Sequence, residues 1–286
     1  MRPRQWVKNV LIFTALVFDE KLGNIQLVIL TAAGFVLFSL VSSSVYILND
    51  LTDLEADRQH PIKQKRPLAS GRLPVNFARL TATVILLICF ALAYWLSHGF
   101  FFLLLTYWLL NMGYSKWLKH YPIVDVFVLA SFYVLRVVGG LTIIEVSRFS
   151  PWLYVVTTLL ALYIGLGKRR AELKLLAEEA SSHRRVLDGY TIPLLDQYIT
   201  IVSATTIVAY SFYTFSAPNL PKNHTMMLTI PFAIYGILRY LYPPGHRPRP
   251  AGPAGGAPEE ELLTDRPLQI AFVLWGISVL VILYLF

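Results

Sequence analysis

The segment IQLVILTAAGFVLFSLVSSSVYIL, residues 25–48, contains no charged side chain and is followed at once by the acid-rich stretch NDLTDLEAD, residues 49–57. A helix needs about 20 mainly apolar residues to cross a bilayer. Residues 25–48 are therefore predicted to span a membrane. The acids that follow are predicted to stand where this helix leaves the membrane.

The composition also indicates a membrane protein. Of the 286 residues, 56% are hydrophobic and 15% are charged, and the mean hydropathy is +0.56, which leaves too little polar surface for a soluble globule. The single cysteine, Cys89, lies in an apolar run, so an intramolecular disulfide and a CxxC metal site are excluded. We predict an all-α, polytopic helical bundle that forms one integral membrane domain over residues 1–286.

Nine apolar segments, separated by charged or Pro/Gly-rich breaks, are predicted to be transmembrane helices. They cover residues 6–18, 25–48, 75–97, 100–113, 123–144, 152–166, 195–217, 226–241 and 268–286. The connection before the last segment contains a low-complexity run rich in proline and glycine. We interpret residues 243–264 as a flexible cytoplasmic loop within the domain.

Lysine and arginine are distributed unevenly between the predicted loops. Alternate connections place 20 of the 25 on one side of the membrane and only Lys21, Arg148 and Lys222 on the other, while Arg79 and Arg136 lie within predicted spans. This bias is typical of cytoplasmic loops. The N-terminus and the active site are therefore predicted to be cytoplasmic, in a bacterial-type inner (plasma) membrane. Contact with membrane lipids then explains the net charge of +8, and no nucleic acid is required.

The acidic stretch predicts a magnesium site. On a continuing helix, Asn49, Asp53 and Asp57 recur every four residues and Asp50 lies three before Asp53, so the four side chains share one face. Carboxylates on one face repel one another and are disfavoured at the carboxyl end of a helix, which favours a compensating cation. Ligands that are all oxygen suit Mg²⁺.

A solvated acidic surface turn is the alternative interpretation of this stretch. Its acids would pair with nearby cations, namely Arg58, Lys63, Lys65 and Arg66. The shared helical face and the position at the end of a membrane helix favour the metal site over such a turn.

Residues 49–57 resemble the first signature, NDxxDxxxD, of the UbiA superfamily of intramembrane prenyltransferases and match it in full. Other stretches resemble the branch represented by decaprenyl-phosphate phosphoribosyltransferase. These are RPRQWVKN at 2–9, HP at 60–61, KRP at 65–67, YS at 114–115, LR at 135–136, KR at 168–169, RRVLDGY at 184–190 and DRPL at 265–268. The resemblance thus covers nearly the whole chain.

This resemblance implies a UbiA-like bundle and a magnesium-dependent transfer reaction. The donor is expected to be phosphoribosyl diphosphate and the acceptor a polyprenyl (decaprenyl-type) phosphate, with diphosphate released. Catalysis is expected to rest on Asp50, Asp53 and Asp57, and magnesium binding on these three acids together with Asn49.

The second acidic motif of the superfamily, DxxxD, is not matched. The corresponding loop offers Asp188 and Asp196, eight residues apart, with Glu172 upstream. A second set of magnesium ligands is therefore left open.

Two phosphate-bearing substrates predict many cationic and polar contacts. The candidates for substrate binding are Lys8, Asn9, Arg66, Tyr114, Lys119, Arg136, Lys168, Arg184, Arg185, Asp188 and Tyr190. Most of the cations would serve equally well as anchors of cytoplasmic loops.

Arg136 is a special case because it lies within a predicted span, where a charge costs about 2.5 to 3.5 kcal/mol. Its side chain is therefore predicted to face the bundle interior. It would bind phosphate there, or else backbone carbonyls or a buried acid of another helix. Asp125 is eleven residues earlier, too far along a regular helix to pair with it.

Two other functions remain as alternatives. The first is UbiA-type transfer of a prenyl group from a polyprenyl diphosphate to an aromatic or other small acceptor. The second is a lipid or ion transporter, which the position of the acids at a helix end disfavours because transporter sites lie near the midplane. Assembly as a homo-oligomer is left open.

Overall fold

Helices form all the regular structure in the computed structural model, which describes residues 3–59, 63–144, 146, 150–178, 185–218, 220–241 and 265–285. These residues contain no strand, which confirms the predicted all-α class. The α-helices are α1 (Thr14–Phe18), α2 (Ile25–Thr52), α3 (Leu54–Gln59), α4 (Val75–Leu96), α5 (His98–Lys116), α6 (Val124–Ile143), α7 (Pro151–Glu178), α8 (Ile192–Ser216), α9 (Ile230–Leu241) and α10 (Arg266–Leu285). Short 3-10 helices lie at Lys63–Lys65, Leu118–His120, Arg185–Gly189 and Thr225–Thr229, and a longer one at Pro3–Phe13.

The nine predicted spans coincide with helices, but the helices differ in length. Six of those in the described residues, α2, α4, α6, α7, α8 and α10, are long and apolar enough to cross a membrane. The first and eighth segments are shorter apolar helices, Gln5–Phe18 and Thr225–Leu241, and each starts with 3-10 geometry. A multi-pass membrane protein is confirmed, while nine crossings stay a prediction.

The sixth predicted segment ends at residue 166, whereas α7 continues to Glu178. The sequence AELKLLAE over this extension is rich in strong helix formers. Two arginines near its start, Arg169 and Arg170, form ion pairs with Glu172 and Asp196. The predicted end of this helix was wrong. The apolar run stops near residue 166, whereas strong helix formers and ion pairs continue the helix to Glu178.

The chain divides into two compact units. Unit 1 contains Met1–Leu16, Leu22–Trp117 and Leu135–Glu145, and unit 2 contains Val17–Lys21, Leu118–Val134 and Val146–Phe286. Helix α6 therefore contributes its first part to unit 2 and its last part to unit 1. The single domain over residues 1–286 stays a prediction, and the loop 243–264 lies outside the described residues.

Unit 1 is built around α2, which packs on α4, α5 and the N-terminal 3-10 helix. The amide side chain of Asn24 caps α2 by accepting from the backbone N–H groups of Gln26 and Leu27. A close approach occurs at Gly140, where a Cβ atom would collide with the carbonyl oxygen of Ile12. Small residues of this kind let membrane helices approach closely enough to pack without a hydrophobic driving force.

Unit 2 contains the pair α7 and α8 and the pair α9 and α10. One buried cluster includes Tyr163, Leu195 and Ile199, and the Tyr163 hydroxyl donates to the backbone carbonyl of Ile237. A second cluster is centred on Met226 and Tyr213. Apolar side chains on the remaining faces are exposed, as expected where the solvent is lipid.

We expect Gly140→Ala to lower the stability of the protein, because the added methyl group meets the Ile12 backbone, which cannot move aside like a flexible side chain. Overpacking of this kind costs about 1 to 3 kcal/mol. The matched control is Gly276→Ala in α10, where nothing lies within 4 Å of the added atom. Thermal unfolding in detergent should show a lower midpoint only for Gly140→Ala, and equal midpoints would contradict the close approach.

Candidate active site

The acidic motif lies at the junction of α2 and α3. Helix α2 ends at Thr52, and Asp53 adopts φ −92° and ψ 12°. The Asp53 N–H still donates to the Asn49 carbonyl at 2.9 Å, and the Asp57 N–H donates to the Asp53 carbonyl at 2.8 Å. The four-residue helical spacing that the sequence predicted is therefore retained across a break of one residue.

The three aspartates of the motif differ in exposure. Asp53 is exposed at the break, whereas Asp57 is 3% exposed and Asp50 is partly buried. Asn49 is also partly buried. The four side chains of the motif are therefore not equally accessible to solvent.

Arg66 connects the two less exposed aspartates. Its Nη1 atom lies 3.1 Å from Oδ1 of Asp50 and 2.6 Å from Oδ2 of Asp57. Arg66 follows the 3-10 turn Lys63–Lys65, and the Ser70 N–H donates to its carbonyl at 2.9 Å. One guanidinium nitrogen thus contacts both carboxylates. The acidic motif predicted to bind magnesium therefore also contains an ion pair with Arg66, as the alternative interpretation as a surface turn predicted.

The residues present fit a magnesium ion in part. The oxygens of Asp50 and Asp57 converge on one cationic nitrogen, so the same pair has the charge and donor type for a hard cation. Magnesium commonly takes only one or two protein carboxylates and completes its shell with water and substrate phosphate. Within the described residues, no three acids, histidines or cysteines are close enough together to share an ion, so Asp53 does not converge with the other two.

Asn9 and Arg136 are brought together in unit 1. Arg136 is 3% exposed, and its Nε donates to Oδ1 of Asn9 at 2.8 Å, while the Asn9 amide donates to Oγ of Ser39 at 2.9 Å. The guanidinium also lies over the rings of Phe38 and Tyr107, at 5.2 and 5.4 Å. The inward orientation of Arg136 is confirmed, and its polar contacts include the buried amide of Asn9, a partner that the sequence did not suggest.

The N-terminal 3-10 helix holds Asn9 in place through its register with α2. Trp6 Nε1 donates to Oγ of Ser43 at 3.0 Å, and Ser43 lies about one turn of α2 beyond Ser39, the serine that Asn9 contacts. Three residues of a 3-10 helix rise about 6 Å, and so do four residues of an α-helix. The two spacings match, so Trp6 and Asn9 both face the serines of α2.

Asp125 is the centre of a buried network in unit 2. Oδ2 accepts from Arg169 Nε at 2.6 Å, and Oδ1 accepts from the Tyr190 hydroxyl at 2.8 Å. Arg169 also pairs with Glu172. Asp125 and Arg169 are almost completely buried, so their opposite charges compensate each other where water cannot.

Tyr190 also supports a strained turn before α6. Its hydroxyl accepts from the Ile123 N–H at 2.6 Å, and Ile123 has φ +69°, a conformation that β-branched residues rarely adopt. Burial raises the pKa of Tyr190 far above the ordinary tyrosine value, which keeps the phenol protonated and able to donate to Asp125. Next to it, Gly189 has no room for a Cβ atom because Pro122 lies against it.

Two of the three acids considered for a second metal set form ion pairs with arginines. Glu172 pairs with Arg169, and Asp196 pairs with Arg170. Asp188 is exposed in the 3-10 helix Arg185–Gly189. Within the described residues, these acids therefore do not form a group of three that could hold a metal ion.

The remaining predicted site residues are distributed as follows. Lys8 and Tyr114 are partly buried in unit 1, and Lys119 and Lys168 are partly buried in unit 2. Arg184 lies outside the described residues, and only the backbone of Arg185 is described. Arg169, which was not among the candidates, is the main cation of the unit 2 network, and its spacing from Glu172, three residues along a helix, was the signal that could have revealed it.

Residues 10–242 match the UbiA prenyltransferase family. The chain belongs to this family. A decaprenyl-phosphate phosphoribosyltransferase of Mycobacterium tuberculosis is 32% identical over 280 residues, which cover 96% of this chain and 90% of that protein. A protein of the same name from Corynebacterium glutamicum is 30% identical over 298 residues, covering 100% of this chain and 86% of that one.

A solved structure supports the fold of this UbiA family member. The UbiA homolog from Archaeoglobus fulgidus bound to GPP and Mg²⁺ superimposes with a TM-score of 0.70 at 20% identity, covering 99% of this chain and 97% of that one. The predicted family and the UbiA-like fold are thereby confirmed. The chain is a membrane transferase, which removes the transporter alternative.

We expect Asp125→Asn to destabilise this transferase, because it removes the more deeply buried of the two carboxylates that compensate Arg169. Breaking a buried pair costs about 3 to 5 kcal/mol. Asp196→Asn is the matched control, since Asp196 pairs with Arg170 in the same unit while 47% exposed and should lose less than about 1 kcal/mol. The two variants are compared by unfolding midpoint in detergent, and similar losses would argue against the buried network.

Proposed function

We propose that this UbiA family member transfers a 5-phosphoribosyl group from phosphoribosyl diphosphate to a polyprenyl phosphate and releases diphosphate, with magnesium as the cofactor. The observation that carries the proposal is the similarity to decaprenyl-phosphate phosphoribosyltransferases along 96% to 100% of the chain. The converging aspartates Asp50 and Asp57 support it, because carboxylate oxygens can hold a magnesium ion that also binds substrate phosphates. The excess of Lys and Arg in alternate loops supports a cytoplasmic active site and an inner-membrane location.

The proposed reaction breaks the bond between the anomeric carbon of ribose and the diphosphate oxygen. Positive charge then develops on the sugar and negative charge on the leaving group, while an oxygen of the lipid phosphate forms the new bond to the same carbon. No covalent enzyme intermediate is needed, so positioning and charge stabilisation carry the catalysis.

Asp50, Asp53 and Asp57, with Asn49, are proposed to hold the magnesium: Asp50 and Asp57 directly, and Asp53 and Asn49 through water molecules of its shell. When bound, magnesium neutralises the charge of the leaving diphosphate. Arg66 stands between Asp50 and Asp57, within reach of a diphosphate held there, and its planar guanidinium suits phosphate oxygens. The other proposed substrate contacts are Lys8, Asn9, Tyr114, Lys119, Arg136, Lys168, Arg184, Arg185, Asp188 and Tyr190, of which Asn9 and Arg136 hydrogen-bond each other.

Transfer of a prenyl group is the second candidate. The family is one of prenyltransferases, and the structural relative from Archaeoglobus fulgidus was solved with GPP. The same aspartates would then hold the diphosphate of a prenyl donor. The two functions differ in which substrate carries the diphosphate and which carbon is attacked.

A two-arm assay separates these functions. Purified protein with Mg²⁺ receives either phosphoribosyl diphosphate labelled in the ribose together with polyprenyl phosphate, or polyprenyl diphosphate together with labelled 4-hydroxybenzoate. We expect label in the lipid fraction only in the first arm. Product confined to the second arm would replace our proposal with prenyl transfer.

We expect Asp57→Asn to reduce turnover by about 100-fold or more, because loss of a magnesium ligand weakens charge stabilisation of the leaving group. Glu55→Gln is the matched control: Glu55 belongs to the same stretch but is exposed and pairs with Arg58 at 2.9 Å. Both variants should elute as wild type in size-exclusion chromatography. Near-wild-type turnover of Asp57→Asn would remove this carboxylate from the site.

A further inference from the structure

Arg66 contacts the motif in an unusual way, because one nitrogen, Nη1, is shared by two carboxylates. A guanidinium that only orients carboxylates typically does so through parallel bonds from two nitrogens to one carboxylate. Here Nη1 lies between Asp50 and Asp57, where an ion bound to both oxygens would also lie. The position is defined by contacts of 3.1 and 2.6 Å.

This geometry has an electrostatic consequence. Asp50 lies in the last turn of α2, where a helix disfavours negative charge, and Asp57, in α3, is almost fully buried. A cation between them therefore stabilises their convergence. A guanidinium and a divalent ion cannot share that position, since two cations a few ångströms apart repel strongly at low effective dielectric.

We propose that Arg66 and the divalent cation compete for the Asp50–Asp57 pair, and that the substrate diphosphate relieves the competition by binding Arg66. This inference rests on the proposed function of the site and adds a role for Arg66 that a plain phosphate contact does not have. Arg66 keeps the aspartates together and, once displaced, becomes a donor to the diphosphate. Metal and diphosphate therefore bind with positive coupling.

If Arg66 orients the carboxylates instead of competing with the metal, removing its side chain should have the opposite effect on metal affinity. A carboxylate has two oxygens and about four acceptor positions, so Arg66 could instead orient the carboxylates while the metal uses their other lone pairs. Removing such an outer partner weakens metal binding by about 10- to 100-fold. Removing a competitor strengthens it, so the sign of the change decides between the two roles.

The test measures Mn²⁺ binding to the full-length protein in detergent without diphosphate, from the free-Mn²⁺ signal in electron paramagnetic resonance. We expect Arg66→Gln to bind Mn²⁺ at least about fivefold more tightly than wild type, within the range of ordinary coupling between sites. Arg58→Gln is the matched control: it removes the same charge from the neighbouring α3, where Arg58 pairs with exposed Glu55, and should change the affinity less than about twofold. Affinity of Arg66→Gln equal to that of Arg58→Gln, or weaker than wild type, would overturn the competition.

Arg66→Lys keeps the proposal testable if Arg66→Gln does not fold. Its ammonium retains the competing charge, so Mn²⁺ affinity should stay within about twofold of wild type, whereas an orienting role predicts weaker binding because the ammonium lacks the planar fork. In turnover assays, Arg66→Gln should lower the Mg²⁺ concentration for half-maximal rate and raise the KM for the diphosphate donor. If Arg66→Gln raised both the Mg²⁺ concentration for half-maximal rate and the KM for the donor, the proposed competition would be contradicted.

Asp57→Asn separates failure of this inference from failure of the proposed site. If Asp57→Asn binds Mn²⁺ as wild type does, the metal assignment itself is wrong. If Asp57→Asn loses Mn²⁺ while Arg66→Gln gains no affinity, the metal site stands and only the competition is rejected.

Discussion

Every charged or polar side chain placed among apolar helices needs a partner, because neither lipid nor a packed interior replaces the hydrogen bonds of water. This requirement organises both units. In unit 1, buried Arg136 contacts the Asn9 amide and two aromatic rings. In unit 2, buried Asp125 accepts hydrogen bonds from both Arg169 and Tyr190. These contacts join segments that are far apart in sequence, so they also determine how the helices pack.

The same requirement applies at the end of α2, with a different outcome. Asp50 and Asp57 have a protein cation, Arg66, which stands on a connecting segment after a short 3-10 turn and is not buried like Arg169. A cation that is partly exposed can exchange partners more readily than one enclosed in a core, because water compensates for the bonds that break. This difference separates a network that supports structure from one suited to binding phosphate.

Much of the architecture was readable from hydrophobic runs and charge. The apolar segment at residues 25–48 became α2, and the four-residue spacing of Asn49, Asp53 and Asp57 survived in the backbone bonds around Asp53. The end of α7 was missed because its last turns are held by helix propensity and ion pairs instead of apolar periodicity. The role of Asn9 was also missed, since its contact with Arg136 spans 127 positions of sequence and depends on the 3-10 register with α2.

The sequence by itself determined that this is a helical membrane protein with the UbiA signature, because span length, charge bias and the NDxxDxxxD motif are all local properties of the chain. Only the tertiary structure decided which charges meet. It joined Arg66 to Asp50 and Asp57, Asn9 to Arg136, and Arg169 to Asp125. The reason is physical: ion pairing depends on distance and burial in space, and a sequence fixes neither until the helices have packed.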